Sequence, residues 1–147
     1  LINGHGGQIS LLNTAARELR SFAPGMAVFP CFLWSGVNGL SELLTKTEIE
    51  DGLHASLAET SLMLALKPEL VGDERPNEGI KGKIPEGWSL EGNAPTAWLT
   101  QDFSKSGVIG DSRGANESLG NNLKELLINH WFKLIMNLMQ SDWPSNS

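Results

Sequence analysis

Apolar and polar positions alternate along this chain in a way that predicts its elements one after another. Leu1-Ile2 reads as the end of a buried strand, and the polar, glycine-rich turn Asn3-Gly4-His5-Gly6-Gly7 follows it. From about Gln8 to Phe22 the apolar residues Leu12, Ala15, Ala16 and Leu19 recur at helical spacing, with Arg17, Glu18 and Arg20 on the other side. That spacing predicts an amphipathic helix, and Pro24-Gly25 stops it. Met26 to Trp34 is a nearly continuous apolar run of strand length, suited to a strand covered on both faces. Strand, helix and strand at this spacing make a βαβ unit, and with it an α/β fold built on a parallel sheet.

Beyond this unit the pattern loosens. A polar stretch carrying Glu42, Glu48, Glu50 and Asp51 precedes a second predicted helix, from about Ser56 to Leu66, which ends near Pro68. The segment from Gly72 to Pro95 is rich in glycine, proline and charge and reads as a long surface excursion. Thr96-Ala97-Trp98-Leu99-Thr100 has the composition of a short strand. The last helix is predicted from about Ala115 to Gln140, with Leu119, Leu123, Leu126, Leu127, Trp131, Leu134, Ile135 and Leu138 on its main apolar stripe. Ile128, Phe132 and Met136 form a second stripe. Together they are wider than one core face needs, and the expectation is a subunit contact in a homo-oligomer.

Composition narrows the function. The 147 residues are 40% hydrophobic, enough for one globular domain with a real core. Net charge is −6 and no Lys/Arg-rich run stands out, so neither nucleic acid nor an anionic membrane surface is expected as a partner. No apolar stretch approaches the roughly 20 residues that cross a bilayer, and the first residues lack the basic and apolar regions of a secretory signal. The single cysteine, Cys31, lies in the apolar run and reads as a buried thiol in a reducing compartment, which makes the cytoplasm the expected location. The first residue is Leu1 and the most informative motif begins at Asn3, so residues are expected to precede this segment.

Two constellations carry candidate chemistry. In Asn3-Gly4-His5-Gly6-Gly7-Gln8 a histidine flanked by glycines follows a strand end, where parallel sheets bind their ligands. Small neighbours let the backbone turn sharply and let a bulky group approach the imidazole. The alternatives are a surface turn with an incidental histidine, or a phosphate cradle, although neither G-x-G-x-x-G nor a Walker lysine is present. The second constellation runs from Asp51 to Leu64, Asp-Gly-Leu-His-Ala-Ser-Leu-Ala-Glu-Thr-Ser-Leu-Met-Leu. Glu59 falls among apolar and small residues, where a carboxylate is costly unless paired, hydrogen-bonded or bound to a cation. It reads either as a ligand or as a structural or edge carboxylate. On one helix His54 and Glu59 would project about 140° apart. They converge only if His54 lies on the turn before the helix, which the turn signal Asp51-Gly52 supports. His130 reads as a helix-face histidine, Asp111 as a loop-fixing residue, and Trp34 as a core residue or a pocket wall.

Asn3-Gly4-His5-Gly6-Gly7, then His54-Ala55-x-x-x-Glu59-Thr60-Ser61-x-Met63-Leu64, resembles the creatininase (creatinine amidohydrolase) family. Pro68-Glu69-Leu70-Val71, Gly107-Val108-Ile109-Gly110-Asp111 and Gly120 match the same pattern in the same order. The resemblance implies a three-layer α/β/α fold with a mostly parallel sheet. It further implies two divalent metal ions per complete site (zinc, manganese or iron), and hydrolysis of a small cyclic amide or a formamide by metal-activated water. It marks His5 as a metal ligand, His54 as the catalytic histidine in proton transfer and Glu59 as a carboxylate on the second metal. Creatininase itself carries Tyr and Glu at the positions of Gly6 and Gly7, and Glu at that of Leu53, which points to the Gly-Gly branch rather than to creatinine as substrate. Gln8 and Ser56 also depart from the family's usual Asn and Gly. The family's Glu-x-His pair and bridging Asp belong to an N-terminal half, so residues 1–147 are expected to be a single domain, the C-terminal part of such an enzyme. The competing expectation is a non-catalytic remnant or binding module that keeps the fold without a complete metal site.

Overall fold

The computed structural model describes residues 1–79, 84–90 and 94–143, so part of the expected excursion between Gly72 and Pro95 lies outside the described residues. They fall into two compact units, Leu1–Asn38 with Glu125–Ser147, and Gly39–Lys124. The fold is α/β. No helix among the described residues is long and apolar enough to cross a membrane.

In the first unit β1 (Ile2–Asn3) pairs in parallel with β2 (Cys31–Phe32), Ile2 opposite Cys31 and Asn3 opposite Phe32. The crossover between them is α1 (Ile9–Phe22), entered through a short 3-10 turn at Gly6–Gln8. This is the expected βαβ unit, but with a much shorter second strand than the apolar run Met26–Trp34 suggested. The ladder is anchored by Cys31 N–H to Leu1 O (2.8 Å) and Leu33 N–H to Asn3 O (2.7 Å). Pro30 has no N–H to extend it on one side, and on the other Ser35 N–H bonds Phe32 O (3.0 Å), turning the chain at Leu33–Gly36. Trp34 therefore sits in a turn, and Cys31 is half-buried rather than enclosed. The apolar face of α1 is only partly covered. Ala16 is buried, whereas Leu11, Leu19 and Phe22 are exposed. The later turns of α6 (Glu117–Met139) belong to this unit. There Leu127 is buried and the Trp131 indole N–H bonds Leu33 O at 2.8 Å. His130, on the same helix, packs edge-on against the Trp131 ring at 5.3 Å. Ile128 and Phe132, from the second apolar stripe, are exposed.

The second unit holds α2 (Leu40–Leu43), α3 (Lys46–Asp51), α4 (Leu57–Leu66), β3 (Asn77–Glu78), α5 (Thr100–Phe103), β4 (Gly110–Asp111) and the first turns of α6. The polar stretch around Glu48 is thus helical. Thr45 caps α3 by accepting the Glu48 N–H (3.2 Å), and Thr45-Lys46-Thr47-Glu48 is the S/T-x-x-E signature of a helix start. The strand expected at Thr96–Thr100 is absent. The Asp102 carboxylate accepts the Leu99 N–H at 2.8 Å, capping α5 and diverting the chain from an extended course. β3 and β4 run antiparallel, with Asn77 opposite Asp111 and Glu78 opposite Gly110. Leu44, Ala58, Leu62, Leu90, Val108, Ile109 and Leu123 form the buried apolar set of this unit. Gly120 lies so close to α4 that a Cβ there would sit 1.9 Å from Ser61 O. The Ser61 hydroxyl, fully buried, accepts the Asn116 N–H at 3.1 Å. Asn116 in turn accepts the Leu119 N–H through Oδ1 (2.9 Å), capping the start of α6.

Candidate functional site

His5 follows the C-terminal end of β1 in extended conformation (φ −115°, ψ 121°) and caps the 3-10 turn Gly6–Gln8. Asn3, buried at the strand end, holds it from both sides. The Asn3 Oδ1 accepts the His5 N–H (3.0 Å), and Asn3 Nδ2 donates to His5 O (2.6 Å). The Gln8 N–H also bonds His5 O at 3.2 Å. The ring lies back over Gly7, where a Cβ would come within 2.9 Å of His5 Nε2. The glycine is what lets this imidazole fold over the turn while remaining exposed to solvent.

In the second unit His54 occupies the turn between α3 and α4, and Glu59 points from the first turn of α4. That is the placement which lets the two approach, and the turn is tightly held. The Leu53 and His54 N–H groups both bond Ile109 O (2.9 and 3.1 Å), and Ile109 N–H returns to His54 O (2.8 Å). Ala55 then adopts a positive φ of 49°, a left-handed conformation that costs an L-residue with a side chain roughly 1–2 kcal/mol. Its N–H donates to Glu59 Oε2 at 2.5 Å, and its carbonyl accepts from the Thr60 hydroxyl at 2.9 Å. A carboxylate at the third position of a helix that reaches back to an N–H before the first turn also complements the helix dipole.

The functional reading of the sequence passed over Glu48. It is buried, although it lies in what reads as a polar stretch. Its Oε2 accepts from the Ser56 hydroxyl (2.7 Å) and its Oε1 from the Ala58 N–H (2.8 Å), so its oxygens close the N-terminus of α4. Ser56 Oγ also accepts the Asp111 N–H at 3.1 Å, tying α3, α4 and β4 into one polar knot. Two glycines make room for it. A Cβ at Gly52 would lie 2.7 Å from Glu48 Oε2, and one at Gly110 (φ +133°) would lie 2.2 Å from Ser56 Oγ. Beside the knot opens a cleft of about 520 Å³ whose walls include Thr45, Glu48, Asp51, Asn77 and Asp111. Asp111 forms a two-point pair with Arg113, Nε to Oδ1 at 2.9 Å and Nη2 to Oδ2 at 2.8 Å. Those guanidinium bonds, with the Arg113 backbone N–H, hold its carboxyl well below the usual range, at about 2. Asp111 thus fixes its own loop.

Of the three residues singled out by sequence, His54 lies on the turn before α4 and Glu59 on its first turn, both in the second unit, and His5 belongs to the first unit. Among the described residues, no three His, Cys, Asp or Glu side chains gather to hold a metal ion. A metal centre generally takes three or four protein donors, so the residues described here do not by themselves fit one. A family model described as creatinine amidohydrolase matches residues 1–135. No curated protein and no solved structure matches the chain.

Proposed function

Since the chain belongs to the creatininase family, we propose that it takes part in the hydrolysis of a small cyclic amide or a formamide. Members of this family are amidohydrolases and generally use divalent metal ions. The observation that supports the reading best is the turn at His5. Asn3 fixes its backbone on both sides and Gly7 makes room for its ring, which stands exposed at a strand end. A backbone already held in place leaves less order to be imposed when the side chain binds a metal.

His5 is the metal ligand in this reading, and Glu59 the carboxylate assigned to a second ion, while its Oε2 stays on the Ala55 N–H. His54 carries the proton to or from the reacting amide, a task suited to imidazole at neutral pH. The remaining donors for zinc, manganese or iron would be of the kind that the family's Glu-x-His pair and bridging Asp supply. Gly6 and Gly7, in place of bulkier side chains, favour a substrate other than creatinine.

The absence of a three-donor group among the described residues favours a second reading, a member that keeps the fold without a working metal site. Metal content of the full-length protein separates the two. The hydrolase reading expects bound zinc, manganese or iron that falls in His5→Ala, together with chelator-sensitive hydrolysis of cyclic amides or formamides. Equal metal in both proteins removes His5 from the ligand set. A full-length protein with neither metal nor amide hydrolysis establishes the second reading.

A further inference from the structure

The turn that presents His54 is strained and braced, and the brace comes from two side chains one helical turn ahead. Ala55 is the one residue other than glycine with a positive φ among the described residues. A backbone held in that region persists only where its surroundings over-determine it, and such positions concentrate at functional sites. Here both polar backbone groups of Ala55 are taken by side chains. Glu59 Oε2 accepts its N–H and Thr60 Oγ1 donates to its carbonyl. On the other side, the paired bonds between His54 and Ile109 hold the preceding backbone against the strand end.

We infer that Glu59 and Thr60 are positioning residues: together they hold Ala55 left-handed and so set the direction in which the His54 side chain leaves the turn. The geometry explains why two neighbours are needed. A hydrogen bond to the N–H alone leaves the following peptide free to rotate, whereas bonds to both the N–H and the carbonyl fix the peptides on either side of Ala55. Without the brace, alanine relaxes towards negative φ, and the link between the Ile109 pairing and the first turn of α4 must then take another path. The functional meaning of the brace rests on the reading of His54 as the proton-transfer residue. The brace gives Glu59 a task that needs an acceptor oxygen rather than a charge, which separates it from a ligand that needs the carboxylate.

The test reads the imidazole directly. In full-chain protein labelled with ¹³C-histidine, the His54 Cε1–Hε1 resonance is assigned with His54→Gln and followed through Glu59→Ala, Glu59→Gln, Thr60→Val and Ala55→Gly. The expected result is that Glu59→Ala and Thr60→Val each move or broaden the His54 resonance while those of His5 and His130 stay in place. Glu59→Gln, whose amide oxygen still accepts from the Ala55 N–H, restores it. Adding Ala55→Gly to Glu59→Ala also recovers it in part, because glycine holds a positive φ without a brace. If Glu59→Ala does not fold, Thr60→Val and Glu59→Gln decide alone. An unmoved His54 resonance in folded Thr60→Val, or a Gln variant as disturbed as the Ala variant, overturns the inference. Failure of the hydrolase reading shows separately, as full-length protein that hydrolyses no amide although the resonances respond as expected.

Discussion

Gly120→Ala tests the packing that carries the His54 turn, because α4 is held in place from the side by the start of α6. In an open helix this substitution stabilises by about 1 kcal/mol, since alanine loses less backbone freedom than glycine. Here the new methyl would meet Ser61 O at 1.9 Å, Ser61 C at 2.6 Å and Ala65 Cβ at 2.8 Å, where real Cβ atoms essentially never come within 3.0 Å. The obstacle is backbone in the middle of a helix. It has no rotamer to change, so α4 and α6 must move apart by more than an ångström. The same movement stretches the bond from the Asn116 N–H to Ser61 Oγ, now 3.1 Å. Overpacking of this kind costs about 1–3 kcal/mol, and a backbone clash belongs at the upper end. After the propensity gain, the net loss is about 2 kcal/mol. With a urea dependence of about 1–3 kcal/mol per molar, the unfolding midpoint should fall by about 1 M. Circular dichroism in urea measures it. Gly25→Ala is the control, because nothing lies within 4 Å of a Cβ at that position. A Gly120→Ala midpoint equal to or above the native one refutes the close approach of the two helices.

Two further outcomes follow from the polar groups of the second unit. Glu48→Ala leaves the Ser56 hydroxyl and the Ala58 N–H without their buried acceptor and should cost about 3 kcal/mol in urea unfolding, judged from the worth of hydrogen bonds to charged groups. Glu48→Gln, which keeps one acceptor, should lose clearly less, and equal losses would contradict the capping role. The Asp111 carboxyl should titrate at about 2 by NMR, and Arg113→Ala should bring it back towards 3.8. Because the folded value is depressed, the stability contributed by this pair is present above about 4 and is lost as the pH falls through about 2. That contribution is small, since the Arg113 side chain is exposed and that of Asp111 about half exposed. A midpoint unmoved by Arg113→Ala would show that the guanidinium is not its cause.

Where local periodicity is strong, the chain reads well from its residues. α1, α4 and α6 lie within a residue or two of the expected spans, because apolar spacing and the punctuation of Pro24-Gly25 and Pro68 are local signals. The parallel pairing of β1 and β2 followed from strand, helix and strand in succession. The errors arise where a distant or opposing group decides. The apolar run Met26–Trp34 needed a ladder partner along its whole length and has one only at Cys31–Phe32. Thr96–Thr100 has strand-like residues, but the Asp102 carboxylate two positions beyond them starts a helix. Glu48 looks like any surface glutamate in a polar stretch. Its burial depends on α4 and β4 converging on it, and only the local Thr45-x-x-Glu48 pattern hinted that a helix stood there.

The spacing His-Ala-x-x-x-Glu-Thr-Ser can now be read as a set of backbone tasks rather than as a label. His54 pairs with Ile109, and Ala55 turns left-handed to leave that pairing and enter α4. Glu59 and Thr60 stand one helical turn on from Ala55, the distance at which side chains of a first turn can reach back to it. Ser61, next in line, faces the other way and takes the first free N–H before α6, which seats Gly120 against α4. Moving the carboxylate by one residue would swing it about 100° around the helix and away from the Ala55 N–H. A chain that needed Glu59 only as a charge near a metal could carry it at several positions around this turn. One that needs it to hold Ala55 has little choice, and the same constraint then fixes where any remaining oxygen of Glu59 can point. The motif spacing therefore follows from the turn that Ala55 makes and from the side chains that reach back to it.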